Sequence, residues 1–229
     1  DAIPEETARH AKFIYINYPN NPTGAVATKA FYEKLVAWAK TYEVGVVSDL
    51  AYGALGYRGY ENPSFLSTPG AKDVGIEFYT FSKTFNMAGW RLAFAAGNDQ
   101  MIEALNLIQD HLFVGIFPAL QEAGIAALLD PKSEEAVAQL NATYDSRRDA
   151  FVQAAAKIGW KAFPSKGSFY AWMPVPEGYT SESFADLLLE KAHVAVAPGK
   201  GFGPAGDAYV RIGLLVEPER LVEAVNRIA

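Results

Sequence analysis

The chain has 229 residues, 50% of them hydrophobic and 20% charged, with 26 acidic against 20 basic residues and a formal net charge of -6. That balance suits an ordinary globular protein and argues against a nucleic-acid or anionic-membrane partner, because both need a positive surface. Cysteine is absent, which excludes disulfides, thiolate zinc sites and a cysteine nucleophile; three scattered histidines, His10, His111 and His193, argue against a histidine-rich metal site. No apolar run approaches the roughly 20 residues that span a bilayer. No charged-then-apolar leader opens the chain, and its start at Asp1 rather than methionine leaves room for an upstream segment.

In chain order, "KFIYINY" (12–18) is rich in β-branched and aromatic residues and is stopped by "NNPTG", which predicts a strand and a turn. "TKAFYEKLVAWAKTYE" (28–43) puts Phe31, Leu35, Trp38 and Ala39 at helical spacing behind Thr28 as N-cap. Strands follow at "VGVVSDL" (44–50), "IEFYTFS" (76–82) and "RLAFAAG" (91–97). Apolar strands separated by helices predict a sheet covered on both faces. Residues 100 to 159 read as helical and end in one long helix over 133–159, capped by Ser133 with Glu134 and Glu135 in its first turn. The last seventy residues predict a smaller α+β unit. Its strands are "WKAFPSK", "FYAWMPV", "VAVAPG" and "YVRIGLL", with helices near 181–192 and 217–228. The division falls near Pro131: residues 1–131 form one part and 132–229 the other.

The chemistry lies at strand ends. Asn21 follows the first strand, Asp49 ends the second and Lys83 follows the third. Each alone reads as a turn residue, a cap or a solvated lysine. In open α/β sheets, however, ligands bind beyond the carboxyl ends of strands, so parallel strands would point all three into one crevice. A lysine, a carboxylate and an amide together suit pyridoxal 5′-phosphate. Its aldehyde needs an amine, its ring nitrogen a carboxylate, its phenolate oxygen a donor. Arg91, Ser82 and Thr80 are available for its phosphate, and Phe81 and Phe85 would desolvate the lysine.

The motifs "YPNNPTG" (18–24), "SDLAYG" (48–53), "TFSKTFNMAGWR" (80–91) and "YVRIGL" (209–214) stand in the order and spacing of a known family. Through them the chain resembles the class I/II aminotransferases of the aspartate-aminotransferase fold, over essentially its whole length. The resemblance implies an α/β, fold type I pyridoxal-phosphate transferase, represented by the later part of its large-domain sheet and the C-terminal α+β small domain. It implies that Lys83 is the Schiff-base lysine and proton shuttle, that Asp49 pairs with the pyridinium nitrogen, and that Asn21 and Tyr52 hold the phenolate oxygen. Arg91 would clamp the phosphate with Thr80 and Ser82, Thr80 standing where many members have serine. Arg211 would grip the substrate carboxylate, near Asn21, with the planar fork that task needs.

Three other features receive no catalytic role. "GFGPAG" (201–206) satisfies G-x-G-x-x-G, but Pro204 interrupts it and a strand follows rather than a helix, so it reads as a flexible loop beside Arg211. His111 reads as a helix-surface or satisfied core histidine. Arg147 and Arg148 read as lying on the solvated face of the long helix.

Family members carry a further upstream segment with a phosphate-cradling turn, a ring that stacks on the pyridine and a tyrosine for the neighbouring subunit. The resemblance therefore implies that these 229 residues alone are inactive and that the full protein is a cytoplasmic homodimer. It would act on an amino acid and a 2-oxo acid, with no nucleic-acid or membrane partner. Longer phrases such as "INYPNNPTGAVAT" and "GAKDVGIEFYTFSKTFNMAGWR" look like the methionine-salvage aminotransferases, which aminate 4-methylthio-2-oxobutyrate. LL-diaminopimelate and aspartate-type aminotransferases, a carbon–sulfur β-lyase and a catalytically incompetent fragment remain the alternatives.

Overall fold

The computed structural model describes residues 2–163 and 165–229. By contacts, the chain divides into two units. The first takes the chain through Pro19, Ala27–Ala54 and Glu61–Val137; the second takes Asn20–Val26, Leu55–Tyr60 and Ala138–Ala229.

The first unit runs α1 (Glu5–His10), β1 (Phe13–Asn17), α2 (Lys29–Tyr42), β2 (Gly45–Asp49), α3 (Ala71–Val74), β3 (Gly75–Thr80), α4 (Phe81–Thr84), β4 (Ala93–Gly97), α5 (Asp99–Leu112) and α6 (Pro118–Leu129). The sheet order is β1-β2-β3-β4. β1, β2 and β3 are parallel, in a register that pairs Asn17 with Asp49 and Asp49 with Phe78. β4 turns back and pairs antiparallel to β3. Thr28 caps α2 as expected, its side chain accepting from Phe31 N–H at 3.2 Å. The apolar stripe of α2 (Tyr32, Leu35, Val36, Ala39) packs with Val46, Phe65 and Ala71 against Ile14 and Ile16 of β1.

The expectation of a sheet covered on both faces is corrected. Strand alternation sends Phe13 and Tyr15 to the face opposite α2, where they are 52% and 76% exposed. α5 borders that face and leaves an apolar groove of about 400 Å³ lined by Phe13, Tyr15, Ile76, Phe78, Met101 and Ile108. The third strand is also shorter than expected. Phe81 and Ser82 leave it for α4, because the Thr80 side chain accepts from Ser82 N–H at 3.2 Å and starts a helical turn.

One buried carboxylate ties this unit together. Glu77 in β3 is 6% exposed. It accepts from Ser48 Oγ at 3.0 Å, Ser64 Oγ at 2.5 Å and Phe65 N–H at 2.8 Å. A buried carboxylate persists only when its lone pairs are filled in this way.

α7 (Ser133–Lys157) begins at the residue expected to cap it; the Ser133 hydroxyl instead donates to the carbonyl of Ala127 at 2.5 Å. From Ala138 onward the helix belongs to the second unit. β5 (Tyr170–Pro174), α8 (Ser181–Leu187), β6 (Ala197–Pro198), β7 (Tyr209–Gly213) and α9 (Pro218–Ile228) complete that unit. Its sheet is antiparallel, in the order β5-β7-β6. Phe151, Ala155, Met173, Leu188, Val210, Leu214 and Val225 make the core. No strand forms over the described residues of "WKAFPSK", of which Pro164 lies outside them. Trp160 Nε1 and Phe163 N–H instead donate to the carbonyls of Pro174 and Trp172.

Arg147 and Arg148 are also corrected. Their side chains are only 15% and 16% exposed. Arg148 lies over the Tyr57 ring at 4.9 Å, and Arg147 donates to Glu217 at 2.6 Å. Beside them, the Leu55–Tyr60 segment is fastened to α7: Arg58 N–H meets both carboxylate oxygens of Asp145, and the Arg58 guanidinium meets Asp149 at 3.1 Å. Burial raises the Tyr57 phenol pKa well above its ordinary 10.0, against the lowering field of Arg148. Burial likewise raises Tyr144, opposed by Arg147. Among the described residues, no helix is long and apolar enough to cross a membrane.

Candidate active site

In the first unit, the carboxyl ends of neighbouring parallel strands bring a carboxylate and an amine to one edge of the sheet. Asp49 closes β2 and Lys83 stands in α4, three residues past the end of β3. The end of β2 is pinned from both sides: Asn17 Nδ2 donates to the carbonyl of Asp49 at 3.0 Å, and Leu50 N–H donates to that of Phe78 at 2.9 Å. Asp49 Oδ1 accepts from Ala51 N–H at 3.0 Å, which fixes the carboxylate while leaving it exposed. Tyr52, on the following turn, is buried.

Around Lys83 the short helix is anchored on its apolar side. Phe81 is buried with Met87 and Leu92, and Lys83 itself is half-buried. Thr80 Oγ donates to Ser82 Oγ at 2.9 Å, so these two hydroxyls form one polar cluster at the helix start. Arg91 is exposed, adopts a left-handed backbone with φ 54°, and directs Nη1 at the carbonyl of Ala88 at 3.1 Å. The half-buried Tyr79 phenol donates to Thr84 Oγ at 2.7 Å; desolvation raises its pKa and that hydrogen bond opposes the rise.

The second unit holds the other two residues. In "NNPTG", Asn20 builds the turn: its Oδ1 accepts from Thr23 N–H at 3.2 Å and from the Thr23 hydroxyl at 2.7 Å. Gly24 closes it with φ +68°, and a Cβ there would lie 2.1 Å from Ser165 Oγ. Asn21 is left to accept from Arg211 Nη1 at 2.6 Å. The Arg211 guanidinium also lies over the rings of Tyr170 at 4.3 Å and Phe202 at 4.6 Å. These two aromatics were not singled out in the sequence. Tyr170 had a readable signal, since it alternates with Trp172 on the strand that pairs with Arg211. Phe202 lies in the "GFGPAG" stretch, whose expected place beside Arg211 was its only signal. His111 is exposed on α5, the surface alternative of the two expected.

The donor set fits pyridoxal phosphate. A carboxylate and an amine at adjacent strand ends match its ring nitrogen and aldehyde, and two hydroxyls with a guanidinium in the same segment match its phosphate.

The chain belongs to the class I and II aminotransferases: the family model described as "Aminotransferase class I and II" matches residues 1–228. The family's cofactor is pyridoxal phosphate, and the fold is that of the aspartate aminotransferases. The chain is 58% identical over 227 residues to the L-glutamine--4-(methylsulfanyl)-2-oxobutanoate aminotransferase of Bacillus subtilis (strain 168), covering 99% of this chain and 56% of that protein. It is 49% identical over 227 residues to the LL-diaminopimelate aminotransferase of Moorella thermoacetica, covering 99% and 58%. Substrate-bound BacF from Bacillus subtilis superposes with a TM-score of 0.94 at 47% identity, covering 99% of this chain and 57% of that one. The chain thus spans less than three fifths of the length of these relatives.

Proposed function

We propose that the whole protein is a pyridoxal-phosphate-dependent aminotransferase that moves an amino group between an amino acid and a 2-oxo acid, with 4-(methylsulfanyl)-2-oxobutanoate as acceptor. The reading is carried by Lys83 and Asp49 standing at the carboxyl ends of adjacent parallel strands. When bound, the cofactor supplies an aldehyde that receives an amino group and a ring that spreads the electron pair left at Cα. Lys83 would offer its amine to that aldehyde and take the proton from the substrate Cα. Asp49 would keep a proton on the ring nitrogen. Asn21 and Tyr52 would donate to the phenolate oxygen, while Arg91, Thr80 and Ser82 would hold the phosphate. Arg211 would take the substrate carboxylate.

The acceptor is supported by the 58% identity to the Bacillus subtilis enzyme that bears its name. An LL-diaminopimelate aminotransferase is the second reading, supported by several relatives of that name at 44 to 49% identity. The same reading makes the protein a cytoplasmic homodimer without nucleic-acid or membrane partners. The test is transamination by the whole protein with glutamine as donor. Methionine formed from 4-(methylsulfanyl)-2-oxobutanoate is the expected result. Turnover of LL-diaminopimelate alone would transfer the protein to the second group.

A further inference from the structure

The "GFGPAG" stretch forms no dinucleotide fingerprint and, contrary to expectation, no loose loop. It lies within two 3-10 turns, Gly199–Phe202 and Pro204–Ala208, which lead into β7. The turns approach backbone to backbone at Gly199 and Gly206. A Cβ on Gly199 would lie 2.1 Å from the carbonyl oxygen of Gly206, and one on Gly206 would lie 2.0 Å from that of Gly199. A latch holds the loop to α8: Asp207 Oδ1 accepts from the hydroxyl of buried Ser181 at 2.8 Å and from its N–H at 3.1 Å, and Ser181 Oγ accepts from Lys200 N–H at 3.2 Å. At the tip, Phe202 meets Trp172 edge-on at 6.0 Å and lies against the Arg211 guanidinium.

A surface loop so constrained asks what it holds. The guanidinium it reaches is incompletely bonded, because Nη1 donates to Asn21 while Nε is buried with no partner among the described residues. A buried donor without an acceptor is uncommon and costly. Guanidinium donors all point within the plane of the group. Two ring faces, with the guanidinium carbon over them at 4.3 and 4.6 Å, restrict the group without consuming a donor and add cation–π attraction.

We infer that Phe202 and Tyr170 are positioning residues that hold the Arg211 fork edge-on to a planar carboxylate, and that the Gly199–Ala208 loop exists to keep Phe202 there. The inference rests on the assignment of Arg211 to the substrate carboxylate. It adds that affinity for the carboxylate depends on the two rings as well as on the charge.

The experiment is solution NMR of this chain. The Arg211 Nε–Hε signal is assigned by its loss in Arg211→Lys, and propionate is titrated with neutral propionamide as control. Ring currents from two aromatic faces place Hε upfield of the other arginines in the parent, and propionate but not propionamide moves it. Phe202→Leu should lose part of the upfield displacement and weaken propionate roughly fivefold to tenfold, the scale of one cation–π contact. Phe202→Tyr should restore both. Tyr170→Leu gives a second route should Phe202→Leu not fold. An Hε signal at an ordinary shift in the parent, or unchanged propionate affinity in both leucine variants, overturns the inference and leaves the assignment of Arg211 standing. Propionate binding that survives Arg211→Lys unchanged overturns that assignment instead.

Discussion

Adjacent asparagines in "NNPTG" are used differently, and the difference is not visible in the letters. Asn20 spends its side-chain oxygen on Thr23, and Asn21 gives its own to Arg211, 190 positions along the chain. Asn20→Ala should therefore reduce stability by about 1–2 kcal/mol, the worth of the two bonds lost, as read by denaturant unfolding. The Arg211 Nε–Hε signal should be little changed. Arg211→Lys should act the other way. It keeps the charge but removes the fork, so carboxylate affinity falls by about tenfold or more while stability changes little. The strand-end positions of Asp49 and Lys83 were legible in the sequence, and both lie where expected; Arg211 was singled out only through the resemblance. Tyr170 and Phe202 were passed over: the strand alternation that points to Tyr170 gives its face and not its neighbour, since an aromatic on that face can fill a core or flank a cation.

At the scale of elements, strands and helices read well where periodicity was strong, and failed where a single polar contact decided the outcome. β1 to β4, α2 and α9 lie close to their expected places. The end of β3 moved because Thr80 starts a helix, and Ser133 lost its role as cap to a contact with Ala127. Glu77 sat unnoticed in an apolar strand, although a charged residue flanked by Ile76 and Phe78 is itself a signal of a buried network. Glu77→Ala should cost about 2–4 kcal/mol in chemical denaturation, since it strands Ser48, Ser64 and Phe65 N–H without an acceptor. The loop latch has a pH dependence of definite sign. Hydrogen bonds from the Ser181 side chain and backbone lower the Asp207 pKa below its ordinary 3.8. Its stabilisation is fully present above that unfolded value and is lost as pH falls through the lower folded one. The amide signals of Ser181 and Lys200 should shift together in that acid range, and Asp207→Asn should abolish the shift.

For the whole molecule, three tyrosines contribute to a loss of stability at alkaline pH. Tyr57, Tyr79 and Tyr144 all have phenol pKa values raised by burial. Folding thus keeps them neutral at a pH where the unfolded chain ionises. Stability is intact below the unfolded value near 10 and falls as pH rises above it. Thermal melts in steps above pH 9.5 should show the decline, and Tyr57→Phe should lessen it. The open sheet face is where the reading and these residues differ. Strands apolar along their length say that both faces want cover, and among the described residues only the side packed by α2 receives it fully.

The proposed function stands on Lys83 as the lysine that receives pyridoxal phosphate. Borohydride reduction of the whole protein with its cofactor, followed by peptide mapping and assay of Lys83→Ala, tests this. A stoichiometric pyridoxyl group on Lys83 and a loss of transamination of at least about a hundredfold in the variant are expected. A pyridoxyl group fixed on another lysine, such as Lys72 or Lys200, with activity surviving Lys83→Ala, would remove Lys83 from that role.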